Sequence, residues 1–208
     1  MKILEPKISK CIENDLLKAF YENDFNNSIF EKNINEELKI NDIAFDSCVF
    51  KNIDFSNIRL ENIDLVDVIF ENCDLSNKNF DHKYIRRVIF KNCKMIGTSF
   101  IGSSISDMQI LGSKANYINF SQAKIKNLLV KQSDFTEMSF LETEIKDMEL
   151  DDVNFSRSEI FKTSLKNIDF SNCNLDSIRI DLFSISGIII DRIQSQDLVG
   201  LLGIKFKD

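Results

Sequence analysis

Every fifth residue from Ile40 to Ile190 is apolar, without a break. The series contains 12 of the 18 Phe residues, and its smallest member is Ala115. A chain with 43% hydrophobic residues does not produce such a run by chance. A period of five fits neither the 3.6-residue period of a helix nor the two-residue period of a strand. The series therefore predicts a repeat architecture.

A second period of twenty residues gives the size of one coil. The strings VFKNIDFS (49–56), IFENCDLS (69–76) and IFKNCKMI (89–96) recur at this spacing. The residue two before each fifth residue is mostly small or apolar as well, so each repeat gives one short extended step with two inward side chains, followed by a polar corner. Four steps close one square coil. The sequence predicts an all-β fold, a four-sided parallel β-helix of about eight coils and about 40 Å.

Stacking of the coils should bring residues twenty apart into ladders. The predicted ladders include Phe80, Phe100, Phe120 and Phe140 on one side, and Ile105, Ile125 and Ile145 on another. The short polar residues around the corners, such as Asp54 and Ser56, can bond the backbone of the turn. We expect a rod filled by side chains, with no central channel.

The two ends depart from the five-residue series. We expect residues 1–20 to cap the first coil of a repeat domain at 21–192, because an open sheet edge invites aggregation. Ser195 is a candidate cap for a short helix in a C-terminal module, 193–208. This module has more apolar side chains than a cap needs, which favours a two-fold dimer interface over an intramolecular cap. The candidate interface residues are Leu198, Val199, Leu201, Leu202, Ile204 and Phe206.

The five-residue motif, with Asp or Asn before a central Leu or Phe, resembles that of the pentapeptide-repeat family over roughly residues 20 to 190. The resemblance implies a right-handed four-sided β-helix. The ending Leu201-Leu202-Gly203-Ile204 is similar to that of the quinolone-resistance (Qnr) group within the family. The resemblance to this group implies a C-terminal homodimer that binds DNA gyrase and topoisomerase IV by imitating duplex DNA, and that relieves inhibition by quinolones or related toxins. Many members carry two inserted loops. The unbroken series here resembles the branch without them.

Charge is segregated along the chain. Residues 1–77 carry 8 Lys+Arg and 16 Asp+Glu, residues 78–131 carry 10 and 2, and residues 134–191 carry 5 and 13. In a tail-to-tail dimer the two acidic 134–191 segments would meet and form an anionic centre suited to a basic DNA-binding groove. The alternative is that these acids only keep the rod soluble. The candidate partner-binding residues are Asp134, Glu137, Glu142, Glu144, Asp147, Glu149, Asp151 and Asp152.

The basic middle band is a possible secondary contact, with Lys78, Lys83, Arg86 and Arg87 as its candidate residues. Lys78 and Lys83 occupy inward positions, so either the corner is distorted or the side chains reach outward to water. We expect no direct binding of nucleic acid, because aromatic residues are not interleaved with the basic ones.

Other functional classes find little support in the sequence. His82 is the single histidine, there is no glycine-rich phosphate loop, and a filled solenoid offers no deep pocket. We therefore expect no enzyme activity, no cofactor and no metal, with the inward cysteines acting as buried thiols. No apolar run is long enough to cross a membrane, which favours a cytoplasmic protein. The alternative function is a structural or interaction scaffold with an unrelated protein partner.

Overall fold

The predicted step of five and coil of twenty are both present in the computed structural model, which describes residues 2–8 and 10–201. The β-strands pair in parallel with partners twenty residues away, as in Phe50 with Phe70 and Ile85 with Ile105. This is the predicted four-sided parallel β-helix, followed by a short C-terminal helix. The fold class is confirmed.

The strands form two sheets. The larger sheet holds β1 (Ile12–Glu13), β2 (Ser28–Phe30), β3 (Leu38–Lys51), β4 (Ile58–Glu71), β5 (Tyr84–Lys91), β6 (Ser104–Leu111), β7 (Lys124–Asp134), β9 (Glu144–Ile145), β10 (Met148–Asn154) and β12 (Cys173–Asn174). The smaller sheet holds β8 (Ser139–Leu141), β11 (Glu159–Phe161) and β13 (Arg179–Ile180). The helices are α1 (Leu16–Glu22), α2 (Leu182–Ile185) and α3 (Gln194–Leu201).

We number the four sides by the central residues that they carry, in steps of twenty. The first side runs from Phe45 to Leu165, the second from Phe50 to Phe170, the third from Phe55 to Leu175 and the fourth from Leu60 to Ile180. On each side, the residues immediately before and after the central one face outward.

The corners turn through a left-handed backbone residue two positions after the central one. Asn52, Asn72 and Asn92 have φ of 53–56° there, a region that Asn tolerates better than most residues. The Asp or Asn before the central residue bonds the same corner, as where Asp54 accepts from the N–H of Ser56 at 2.8 Å. The predicted corner bonding is therefore present.

The interior is filled by the ladders of central residues. Phe80 and Phe100 stack with ring centroids 5.3 Å apart, and Phe100 stacks on Phe120 at 5.1 Å. Each such pair contributes about 0.5–1.5 kcal/mol beyond its burial. The predicted ladder exists, and a second Phe ladder on the second side, which we did not predict, lies beside it. Its members are Phe30, Phe50, Phe70 and Phe90.

The first coil is closed by α1. Asp15 accepts hydrogen bonds from the N–H groups of Leu17 and Lys18, which makes it the N-cap of the helix. Leu16 and Ala19 are buried in the same hydrophobic core as the first Phe residues of the rod. The helix therefore removes the apolar end of the coil from water.

Residues 2–8, which we call the strap, run along the outside of the rod. The N–H of Leu4 donates to Asp107 Oδ1 at 3.1 Å, and the N–H of Lys7 donates to Asp67 Oδ1 at 2.8 Å. Asp67 and Asp107 lie two coils apart, or about 9.6 Å, and three extended residues cover about 10 Å. Because the two lengths match, an extended strap reaches both carboxylates.

Beneath the strap, a column of outward positions on the second side is apolar. Val49, Ile69 and Ile89 stack in register, and Val49 and Ile89 are buried although the lattice places them on the outer surface. Gln109 continues the column and donates to Glu5 of the strap at 2.9 Å. The strap therefore covers these side chains.

The other end of the rod breaks the lattice by one residue at α2. The N–H of Thr163 donates to Ser184 Oγ, 21 residues on, whereas the N–H of Thr143 donates to Thr163 Oγ1 at a spacing of 20. Ser184 therefore takes the inward position, and Phe183 is left 61% exposed.

The residue that caps the start of helix α3 is not the predicted one. Asp191 Oδ1 accepts from the N–H groups of Ile193 and Gln194, so Asp191 and not Ser195 caps this end. Ser195 lies within the helix and donates its hydroxyl to the carbonyl of Arg192. The expectation for Ser195 was wrong because an Asp four residues earlier reaches the free amides first.

Candidate interaction surfaces

The eight acidic residues proposed for partner binding do not share one surface. Each position in the coil belongs to a fixed side, so these residues surround the rod as a belt. Asp134 and Glu137 belong to the third side and its corner, Glu142 to the corner of the fourth, and Glu144 to the first. The others cluster at the first corner and along the second side: Asp147, Glu149, Asp151 and Asp152.

Half of the belt is paired with cations one coil away. The pairs are Glu137 with Arg157 at 3.1 Å, Glu142 with Lys162 at 2.7 Å, Glu144 with Lys124 at 3.7 Å and Glu149 with Lys131 at 3.7 Å. The hydrogen bond and charge of Lys162 lower the pKa of Glu142, so it stays ionised and paired. These pairs reduce the net field that the belt presents to a partner.

The largest group of acidic residues in the belt lies on the second side and its corners, beyond the strap, and includes the paired Glu149. We call it the acidic patch, and it consists of Asp147, Glu149, Asp151, Asp152 and Asp169. All but the half-buried Asp151 are exposed. Asp169 was missing from the candidate list. It lies one coil above Glu149, a stacking that its twenty-residue spacing shows.

The four candidates of the basic band have separate environments. Arg87 is buried under the strap, where its guanidinium forms a two-pronged ion pair with the buried Asp67, so it was wrong as a surface contact. Arg86 is exposed on the first side. Lys78 Nζ donates to the carbonyl of Ile58 at 2.9 Å, and burial lowers its pKa.

Lys83 Nζ donates to Asn62 Oδ1 one coil below. Lys78 and Lys83 are both half-buried, with heads that reach polar atoms of the preceding coil. Their side chains therefore extend away from the core. Of the two alternatives, a distorted corner or side chains that reach outward, this is the second.

The strap contributes one hydrogen bond to the buried ion pair beneath it. Burial opposes ionisation of Asp67, but the hydrogen bonds from Arg87 and from the N–H of Lys7 outweigh this and leave its pKa below the ordinary value. The hydrogen bond that Arg87 donates to Asp67 likewise raises the pKa of Arg87. Both groups are therefore charged at neutral pH.

The C-terminal candidates are divided between the core and the surface. Leu198 is 5% exposed and lies against Ile160, Leu165 and Leu175 at the end of the core, so it caps its own rod and was wrong as a dimer contact. Val199 is half-buried. Leu202, Ile204 and Phe206 lie outside the described residues, as does the side chain of Leu201.

Large apolar residues that we did not predict are exposed near this end. Ile189 is 47% exposed and Ile193 is 75% exposed, while Gln194 anchors α3 through bonds to the carbonyls of Phe170 and Cys173. Ile189 belongs to the five-residue lattice as an outward residue, and its apolar character was the available signal.

The cysteines of the described chain are free thiols. Cys73 and Cys93 are buried in adjacent coils, and burial raises the pKa of the Cys48 thiol to about 12. Within residues 2–8 and 10–201, no group of three or more His, Cys, Asp or Glu side chains could hold a metal ion. No helix in the same residues is long and apolar enough to cross a membrane.

Three solved structures of low sequence identity are similar to this protein. Two trypsin-treated variants of QnrB1, a plasmid-mediated fluoroquinolone resistance protein, are 19% and 18% identical, with 88% of this chain and 89% of theirs covered and TM-scores of 0.42 and 0.41. HetL, a pentapeptide repeat protein involved in heterocyst differentiation regulation in the cyanobacterium Nostoc, is 15% identical, with 86% and 97% covered and a TM-score of 0.35. No curated protein matches the sequence.

A family model described as a pentapeptide repeat region matches residues 63–133. This segment lies inside the regular rod, where the step of five and the coil of twenty hold on both sides of it. Residues 63–133 are therefore a pentapeptide-repeat region.

Proposed function

We propose that the protein binds a type II topoisomerase, DNA gyrase or topoisomerase IV, by imitating duplex DNA, and that it protects the enzyme from fluoroquinolones or a natural toxin. The observation that supports this is the acidic patch, which lies on one side of a straight rod. Such a role is non-catalytic, needs no cofactor and belongs in the cytoplasm.

The charge density of the patch is comparable to that of DNA. B-DNA carries one negative charge per about 1.7 Å of its axis, or about three per coil rise of about 4.8 Å. Residues 147–152 place four carboxylates in one coil, and Lys131 partly neutralises one of them. A basic groove shaped for DNA would therefore meet a similar field along this side.

The test is a gyrase supercoiling assay with the protein titrated in, with and without a fluoroquinolone. We expect supercoiling to be rescued in the presence of the drug. The variant Asp147→Asn/Asp151→Asn/Asp152→Asn should need about tenfold more protein, because removing complementary charges weakens association. The variant Glu137→Gln/Glu142→Gln/Glu144→Gln removes the same charge from paired acids on other sides and should act like the natural protein.

Inhibition without rescue would contradict protection but keep DNA mimicry. An equal loss of rescue in both triple variants would contradict the assignment of the acidic patch as the contact surface. No effect at any concentration would contradict the whole proposal and favour the scaffold alternative.

We also propose that two copies pair through their C-terminal ends, which would align two acidic patches on one longer rod. Exposed Ile189 and Ile193 support this, since pairing would remove them from water. Ile193→Asp should give a monomer in sedimentation velocity. Tyr21→Asp, which changes a similarly exposed residue at the other end, should not. A wild-type monomer at micromolar concentration would contradict the pairing.

A further inference from the structure

Several charged ladders in this rod alternate in sign, although Lys94 and Lys114, like Glu149 and Asp169, place the same charge in adjacent coils. A cation at an outward position is bonded to a carboxylate one coil away, at N–O distances of 2.7–2.9 Å. The pairs are Lys51 with Glu31, Lys91 with Glu71, Lys94 with Asp74 and Lys162 with Glu142. The alternation places opposite charges side by side at each coil spacing, about 4.8 Å.

The first side contains an exception to this alternation. Lys126, Lys146 and Lys166 follow the central residues of three successive coils, so they stack cation on cation. Lys146 N–H bonds the carbonyl of Ile125, which fixes the register of the first two. All three are exposed. We call them the lysine column. Their mutual repulsion does not help the rod fold, so the arrangement needs another reason.

An open groove of about 560 Å³ lies along the lysine column. Two members of the column, Lys126 and Lys146, line this groove. The rest of its lining includes Lys124, Lys162, Glu144, Ile125, Ile145 and Phe183. Phe183 points into this surface because the one-residue shift at α2 gives the inward position to Ser184. The groove thus combines cations with an exposed aromatic ring, on a rod of net charge −7.

We propose that this groove binds an acidic segment of a partner protein that also carries an aromatic or aliphatic side chain. Carboxylates at positions i and i+2 of an extended segment lie about 7 Å from each other, within the span of about 9.6 Å that the three lysines cover, so both can pair with ammonium groups of the lysine column. The apolar side chain would cover Phe183 and Ile145. This surface has the opposite charge and a different side from the acidic patch, and it does not depend on topoisomerase binding.

A protein segment fits better than a nucleic acid. Glu144 and Asp147 flank Lys146 in the same coil, and both are exposed. A continuous phosphate backbone would pass these carboxylates at close range, whereas a peptide can place neutral residues beside them. The lining also holds a single aromatic ring, that of Phe183, so successive unpaired bases would find no row of stacking platforms.

The test measures fluorescence anisotropy of a labelled peptide, Glu-Glu-Phe-Glu-Glu-Phe-Glu-Glu, titrated with the full chain at about 50 mM salt. We expect binding that weakens by about tenfold in Lys126→Gln/Lys146→Gln and several-fold in Phe183→Ser. The matched control is Lys91→Gln/Lys131→Gln, which makes the same charge change on the second side. It should change affinity by less than about twofold.

Three results would overturn the proposal. One is no binding of the peptide by the natural protein, and another is equal loss in the lysine-column and control variants. The third is tighter binding of an oligothymidylate of about twelve nucleotides that depends on the same lysines, which would identify a nucleic-acid surface instead. A version of the peptide with Ser in place of Phe should bind more weakly, and equal binding would contradict the role of Phe183.

Discussion

The second side of the rod has two halves with the same backbone and different surfaces. In the half near the N-terminus, the on-strand outward residues Val49, Ile69 and Ile89 are apolar and lie under the strap. In the half near the C-terminus, the same positions are Glu149 and Asp169, and they face water. The repeat therefore sets the backbone of both halves. The outward residues differ according to whether the strap or water covers the coil.

The covered half also buries charge, which the open half does not. Arg87 and Asp67 are 5% and 4% exposed beneath the strap, whereas Asp152 and Asp169 are exposed. Burying an ion pair costs desolvation free energy, and this cost is offset only while both partners are present. An exposed carboxylate stays hydrated and contributes little to stability. Substitutions in the two halves should therefore act on different properties, stability in one and binding in the other.

The largest effect should come from Arg87→Ala, which leaves Asp67 buried without its cation. Breaking a buried pair in this way costs about 3–5 kcal/mol in the free energy of unfolding. Urea denaturation measures it. The control Lys91→Ala, on the same strand but in an exposed pair with Glu71, should cost less than about 1 kcal/mol.

The double variant Arg87→Leu/Asp67→Leu separates loss of the pair from loss of packing. Because it removes both charges, it should recover most of the stability. Equal losses in Arg87→Ala and Lys91→Ala would mean that the covered half has no special dependence on its buried charges.

A smaller effect is expected from removing the strap's own donors. Proline has no N–H, so Leu4→Pro and Lys7→Pro delete the bonds to Asp107 and Asp67. Each bond to a charged group is worth about 1.5–3 kcal/mol, and the loss should appear as faster amide exchange in β4 and β5. Lys2→Pro, whose N–H is not among these bonds, is the control. Unchanged exchange in the first two variants would show that apolar contacts alone hold the strap.

The strap should also loosen in acid, by a smaller and graded amount. The pKa of Asp67 is lower in the folded protein than its ordinary value of about 3.9, so its contribution is fully present above that value and is lost as the pH falls through the folded-state pKa. Amide exchange in β4 should therefore rise below about pH 4 in the natural protein. Asp67→Asn should flatten this dependence. A pH response that is unchanged in that variant would assign it to another carboxylate.

Most of the fold was predictable because one residue in five has to fill a narrow core. The central series, the ladder of Phe80 and Phe100 and the corner bonds of residues such as Asp54 all follow from local rules that repeat. The strap was not predicted, because its contact with Asp107 joins residues 103 apart and has no periodic signal. The apolar outward residues Val49 and Ile89 were the available indication that something covers that side.

The site was predictable in composition and less so in geometry. Counting charges along the chain found the acidic 134–191 segment, but only the coil shows that Glu142 is paired with Lys162 while Asp152 stays exposed on another side. The exposure of Phe183 was not predicted, for a different reason. A one-residue shift at α2 leaves the five-residue series intact in the sequence and changes which side chain faces inward.

The smallest effect on stability should come from substitutions in the open half, the part of the second side near the C-terminus. Asp151→Asn/Asp152→Asn removes the charges of the half-buried Asp151 and the exposed Asp152, so the free energy of unfolding should change by less than about 0.5 kcal/mol. Topoisomerase binding, measured by the supercoiling assay, should weaken in the same variant. Loss of stability comparable to that of the strap variants would show that the open half is also structural, and would remove the reason to assign its carboxylates to a partner.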